Sequence, residues 1–351
     1  MKPANIITII VLLLGVAAPW LISSYELSLL GRFLAFSLVA LGIMLTWGEG
    51  GILSLGQGVF FGLGGYALAM NLKLAGLNLA NGDMPDFMQW SGVSALPGFW
   101  YPFANPWFSL AAVLLVPGFF AAAFSWLVFR RRIGGVYFAL ISQALALAFA
   151  TLLVSQQAST GGFNGLTDFS SFDGYDITSR LSAQMIYLIT FVLVALSYFF
   201  LSWLLRTRFG IMLRATRDGE NRVRFLGHNP LPYKVVAFTI AGMLSGMGGA
   251  LFTLHAGVIS PALVGVVPSI EMVVWVAVGG RNVLWGAIAG TLLVNFAKDQ
   301  ISSALPSLWL YALGGLFILA VSFLPGGIAG LFNGNRPHFR FPRRRASEAA
   351  P

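Results

Sequence analysis

The chain has 351 residues, 57% of them hydrophobic and 9% charged, with a mean hydropathy of +0.81 and a net charge of +9. A soluble domain carries about 25% charged residues to wet its surface, so this exterior must face lipid, where only helices or a closed barrel satisfy the backbone. Absence of cysteine excludes disulfides, thiolate catalysis and thiolate metal sites, and His228, His255 and His338 show no metal-ligand spacing.

Barrel strands alternate over roughly ten residues. The apolar blocks here do not alternate, and each is near the roughly 20 residues a spanning helix needs. The expected fold is an all-α polytopic helical bundle with about ten spans, over 4–23, 28–47, 52–72, 107–129, 134–155, 183–205, 234–254, 264–280, 283–304 and 308–329. The third and eighth contain small residues and a polar group, so either can be broken or re-entrant. Gly15-Val16-Ala17-Ala18 could pass for a signal-peptidase site. The apolar run continues to Ile22, however, and a retained anchor helix is the preferred reading.

With the N-terminus inside, one face collects Lys2, Arg130 to Arg132, seven basic residues from Arg206 to Lys234, Arg281 and five from Arg336 to Arg345. The other face has Arg32, Lys73, Arg180 and Lys298. Seventeen against four predicts that both termini are cytoplasmic and accounts for the basic charge without nucleic acid. The expected organisation is a single transmembrane domain over 1–332 with outer loops at 76–106 and 156–182, an inner loop at 206–233, and a basic tail over 333–351 that anchors on anionic lipid. Three glycine pairs spaced by four (Gly58 and Gly62, Gly242 and Gly246, Gly286 and Gly290) predict close helix crossings.

No phosphate loop, His-Glu-x-x-His, Gly-x-Ser-x-Gly or intramembrane pair of acids is present. Active transport would therefore draw its energy from a partner or an ion gradient. Glu271 is the acidic residue well inside an apolar stretch. A charge near mid-bilayer costs about 2.5–3.5 kcal/mol on insertion scales, so Glu271 faces the bundle interior or water, as a structural pair or as part of a site. Ser54, Gln57, Gln143, Asn164 and Asn295 lie in or at the ends of spans. They are either interhelical glue or, as a set with Glu271, the lining of a path for a neutral hydrogen-bonding solute. The inner loop 206–233 suits one or two short amphipathic helices ending near Gly227 with Pro230 after the stop. Such helices lie on the membrane surface or dock in a partner's groove.

At this loop the chain resembles the permease subunits of the branched-chain amino acid family of ABC importers. Phe209-Gly210, Leu213-Arg214-Ala215, Arg217-Asp218 and Gly227 carry the likeness, followed by Lys234 to Leu251, Ser269-Ile270-Glu271 and Phe323 to Leu331. Leu53 to Gly58 with Gly64-Gly65-Tyr66 fits the same pattern, over roughly residues 28–332 in all. Within the family the urea-type permeases are the nearer resemblance, through Met84 to Met88, Gly161 to Phe169 and Trp275 to Arg281. The chain departs from that pattern at Phe163, and at Gln57, where a histidine is frequent.

The resemblance implies an importer of urea or a close small amide in a bacterial inner membrane, working by alternating access. It implies a second homologous permease subunit, two cytoplasmic ATP-binding subunits that hold ATP and Mg, and a periplasmic substrate-binding protein. Arg214, Ala215, Arg217, Asp218 and Gly227 would couple the chain to the ATPases, and no cofactor is bound by the chain itself. A branched-chain amino acid importer, a passive channel and a membrane-embedded enzyme are the competing readings. A channel needs no amphipathic inner loop, and an enzyme needs convergent acids, bases or metal ligands that a single Glu271 does not supply.

Overall fold

The computed structural model describes residues 13–79, 82–93, 95–169, 171–172, 175–176 and 179–304, with 311, 314–315, 318–319, 322 and 326–332. The N-terminal residues 1–12, the tail 333–351 and most of the expected tenth span fall outside them.

A helical segment over 13–21 precedes α1 (Ser24–Ile43), which starts on a capping box: Ser23 Oγ accepts from the Glu26 amide and Glu26 reaches back to the Ser23 amide. α1 runs on through a π-helical turn, Met44–Glu49. α2 (Gln57–Leu74) follows a non-helical stretch over 51–56. A short helix at Asp86–Trp90 leads to α3 (Pro106–Arg130), capped by Asn105 with Pro106 at its first position. α4 (Val136–Ser155) and the one-turn helix Gln157–Thr160 precede β1 (Leu166–Thr167), β2 (Ser171–Phe172) and β3 (Tyr175–Asp176). Then come α5 (Arg180–Leu204), α6 (Arg208–Phe225), α7 (Leu231–Ala256), β4 (Val258–Ile259), α8 (Val266–Gly279), α9 (Leu284–Ala304) and α10 (Gly327–Phe332).

Six of the described helical segments are long and apolar enough to cross a membrane: Ser24–Glu49, Pro106–Arg130, Val136–Ser155, Arg180–Leu204, Leu231–Ala256 and Pro261–Gly279. α7 is the central post and packs along α1, α2 and α3, while α5 flanks α1 and α9 closes against α1 and α8. α4 touches chiefly α2, α8 and the 261–263 turn and turns a broad apolar face outward.

The three glycine pairs sit at crossings, as their spacing predicts. Gly242 and Gly246 meet Ala121 and Pro117 of α3, Gly58 and Gly62 meet Val264, and Gly286 and Gly290 meet α8. A Cβ on Gly290 would lie 2.3 Å from the Trp275 carbonyl oxygen. The helices of the third and eighth expected spans both start late. That of the third starts at Gln57 after five buried or half-buried non-helical residues, and that of the eighth runs over Val266–Gly279, with the 3-10 turn Pro261–Leu263 before it extending the segment to membrane-spanning length.

The connections at 48–50, 206–230 and 281–283 gather at one end of the bundle, where Arg217 reaches the Gly48 carbonyl and Gly48 abuts the Arg281 carbonyl. This is called the basic end below. At the far end the Trp100 indole donates to the Ser159 carbonyl at 3.0 Å, and β1 pairs antiparallel with β4 through Leu166↔Ile259 and Thr167↔Val258. The loops at 95–105 and 156–167 and the strand Val258–Ile259 thus lie together at the far end.

Candidate functional site

The starts of α2 and α8 meet each other. At the start of α2, the Gly58 amide donates to Ser269 Oγ of α8 at 3.1 Å, and Ser269 Oγ donates to the Gly265 carbonyl at 2.9 Å. A Cβ on Gly58 would lie 2.4 Å from the Val264 carbonyl oxygen, so only glycine permits this approach. α4 covers the junction from a third side: the Leu55 amide donates to Ser142 Oγ at 2.9 Å.

Gln57 sits in this junction with no exposed surface, and neither its Oε1 nor its Nε2 has a hydrogen-bond partner. Six buried side-chain polar atoms among the described residues lack partners, and Gln57 is where donor and acceptor are orphaned together. An unsatisfied buried polar group costs about 1–3 kcal/mol, so its retention calls for a reason. Of the amides around it, Gly56 is taken by Ser54 Oγ at 3.3 Å, Gly58 by Ser269 and Val59 by the Gly56 carbonyl at 3.2 Å, while those of Gln57, Val266 and Val267 at the two helix starts meet no acceptor among the described residues. Beside them stands a neutral carboxamide with one donor and one acceptor end.

Eight and nine residues before Gln57, at Glu49 and Gly48, the chain passes under α6. Arg214 Nη1 bonds Glu49 Oε2 at 3.1 Å, and its Nη2 donates to the Leu205 carbonyl at 3.1 Å. Arg217 Nη1 donates to the Gly48 carbonyl at 2.6 Å, and its Nε bonds Asp218 Oδ1 at 2.8 Å. Leu213 is fully buried between them. Gly51, at φ +68°, turns the chain beneath Arg217 into the 51–56 stretch.

The helix breaks at Gly219, and its second part is held by Glu220, which bonds Arg224 at 2.7 Å and also Lys234 of α7. Burial disfavours the Glu220 carboxylate, but the hydrogen bonds and charges of Lys234 and Arg224 outweigh it and hold its carboxyl below the ordinary value. The hydrogen bond and charge of Arg217 likewise hold the Asp218 carboxyl below its usual range. Gly227 follows the helix at φ +82°, as expected of a stop, and Phe225 and Leu226 stand exposed beside it.

The residues named from sequence do not form one constellation. Gln57 lies in the junction, and Gln143 is half-buried next to Ser142 on α4. Glu271 lies two residues beyond Ser269, and its Oε2 bonds Lys298 Nζ of α9 at 2.6 Å, a partner 27 residues away. Asn295 is buried, but its amide donates to the Thr291 carbonyl of its own helix at 2.8 Å. Asn164 is exposed in the loop before β1 at the far end, away from the rest. Sequence reasoning passed over Ser142, Glu49, Gly48 and Lys298. The buried stripe Phe138, Ser142 and Ala146, spaced at one helical turn, was the available signal for Ser142.

Residues 25–334 match the family model described as the branched-chain amino acid transport system / permease component. Over 345 residues, covering 90% of this chain and 73% of the relative, the chain is 27% identical to the high-affinity branched-chain amino acid transport system permease protein LivM of Escherichia coli (strain K12). It is 26% identical to LivM of Salmonella typhimurium, with the same coverage of each chain. A shorter match, 32% identical over 146 residues, covers 39% of this chain and 41% of the autoinducer 2 import system permease protein LsrC of Escherichia coli O9:H4. No solved structure matches.

Proposed function

Because the chain belongs to the branched-chain amino acid permease family of ABC importers, and is thus a membrane transport subunit rather than an enzyme, we propose that its solute is urea or a close small amide. The observation that carries this reading is Gln57, a buried neutral carboxamide with both ends unpartnered. A planar amide can pair with both ends of such a side chain, donor to acceptor and acceptor to donor. The similarity to LivM supports a second reading, a branched-chain amino acid as solute.

In this reading the basic end faces the cytoplasm, following the distribution of lysine and arginine, and α6 meets the partner ATPases there. Arg214 and Arg217 tie α6 to Glu49 and Gly48, and the 51–56 stretch links that contact directly to Gln57. A shift of α6 on ATP binding or hydrolysis then displaces the floor of the junction. Ala215, Asp218 and Gly227 belong to the same coupling element. A second permease encloses the path, and a substrate-binding protein delivers the solute at the far end, over the two outer loops.

The test is uptake of labelled urea and labelled leucine in cells lacking, and then regaining, this chain with its partners. Restoration of urea uptake that excess leucine does not compete away is the expected result. Restored leucine uptake without urea uptake would assign the second reading.

A further inference from the structure

Away from the junction, four aromatic rings form a layer across the bundle interior. Phe36 of α1 packs against Trp275 of α8 at 4.8 Å, Phe252 of α7 at 5.0 Å and Phe61 of α2 at 5.8 Å. α1 and α8 both run from the far end to the basic end. One turn before Phe36 comes Arg32, and one turn before Trp275 comes Glu271, so both charges lie about 6 Å farther from the basic end than the rings. Residues four apart share a helix face, which puts Arg32 on the same interior-facing stripe as Phe36.

Glu271 is bonded by Lys298. Arg32 has no acceptor for a hydrogen bond and no ion-pair partner among the described residues, and its Nε is buried. His255, whose ring lies beside Gly31, is within the electrostatic reach of Arg32 and is a base rather than a carboxylate. A guanidinium is always charged, offers five donors and accepts nothing. An ionisable residue held inside a membrane bundle marks a site where a partner is to be expected.

We propose that Arg32 is a receiving site for the transported solute: its guanidinium takes the solute's carbonyl or carboxylate oxygen on the far side of the aromatic layer, before the solute reaches Gln57. This rests on the reading of the chain as an importer of a small amide. It extends to an amino acid as well, since both solute classes present an oxygen acceptor.

The test uses the complete importer, with its second permease, ATPases and binding protein, reconstituted in vesicles. The quantity measured is the initial rate of ATP-driven uptake per assembled complex, with whichever of labelled urea or leucine the wild type accumulates. Arg32→Gln is expected to lower the rate roughly tenfold or more, the scale of one lost charge-assisted hydrogen bond. Arg32→Lys, which keeps the charge but loses the fork, falls between that variant and the wild type. A rate for Arg32→Gln within about twofold of wild type, or a loss that merely follows loss of assembled complex, overturns the proposal. A wild type that accumulates leucine and not urea overturns the amide reading alone, because the Arg32 comparison then runs on leucine.

Discussion

At the scale of single residues, Gln57 and Glu220 show polar chemistry used in opposite ways. Gln57 is buried with its hydrogen bonds unmade, whereas Glu220 is held by two cations. Replacing Gln57 by leucine removes two orphaned groups of similar shape, so Gln57→Leu is expected to raise the thermal stability of the purified permease, by about 1–3 kcal/mol. A lower unfolding temperature would mean that the carboxamide is satisfied after all. For Glu220 the folded carboxyl titrates below its ordinary value of 4.5. Its contribution to docking the second part of α6 is therefore fully present above that value and is lost as pH falls through the lowered one. The protection of the 219–227 amides, exchange measured relative to the intrinsic rate at each pH, is expected to stay constant from pH 7 to pH 5 and to fall only in more acid solution. Glu220→Gln should lower protection throughout, and a loss of protection already near pH 6 would refute the assignment.

Among the elements, the two late helix starts matter most. Glycine and polar content in the third and eighth expected spans marked both as doubtful; the helix of the third starts only at Gln57, whereas the eighth keeps a membrane-length segment over Pro261–Gly279 whose α-helix starts at Val266. The glycine spacing announced three crossings. Hydropathy could not show that the two helix starts face each other. That depends on Gly58 approaching Val264 and on Ser269 reaching back over 211 residues, and no local pattern encodes it. For the same reason Lys298 was counted with the loop charges rather than as the partner of Glu271, and Asn164 was grouped with residues from which the fold separates it. Gly58→Ala places a Cβ 2.4 Å from a carbonyl oxygen. It should push α2 and α8 apart at a cost of about 1–3 kcal/mol, lowering the unfolding temperature and abolishing uptake together. An unchanged unfolding temperature would show that the junction is slack.

At the scale of the molecule, the proposed ATPase-facing contact and the proposed solute contact are joined by one short run of chain. Arg217 holds the Gly48 carbonyl, and Gln57 begins nine residues later. Arg217→Ala is expected to leave the complex assembled in the membrane while solute-stimulated ATP hydrolysis falls by roughly tenfold or more. Stimulation at the wild-type level would place the coupling elsewhere. The central claim, that a neutral amide passes through the junction at Gln57, is tested most directly in vesicles carrying the complete importer, loaded with ATP and given labelled urea. The account predicts that wild type accumulates urea above the external concentration and that Gln57→Leu, equally assembled, does not. Equal accumulation by the two, or no accumulation by wild type, would contradict it.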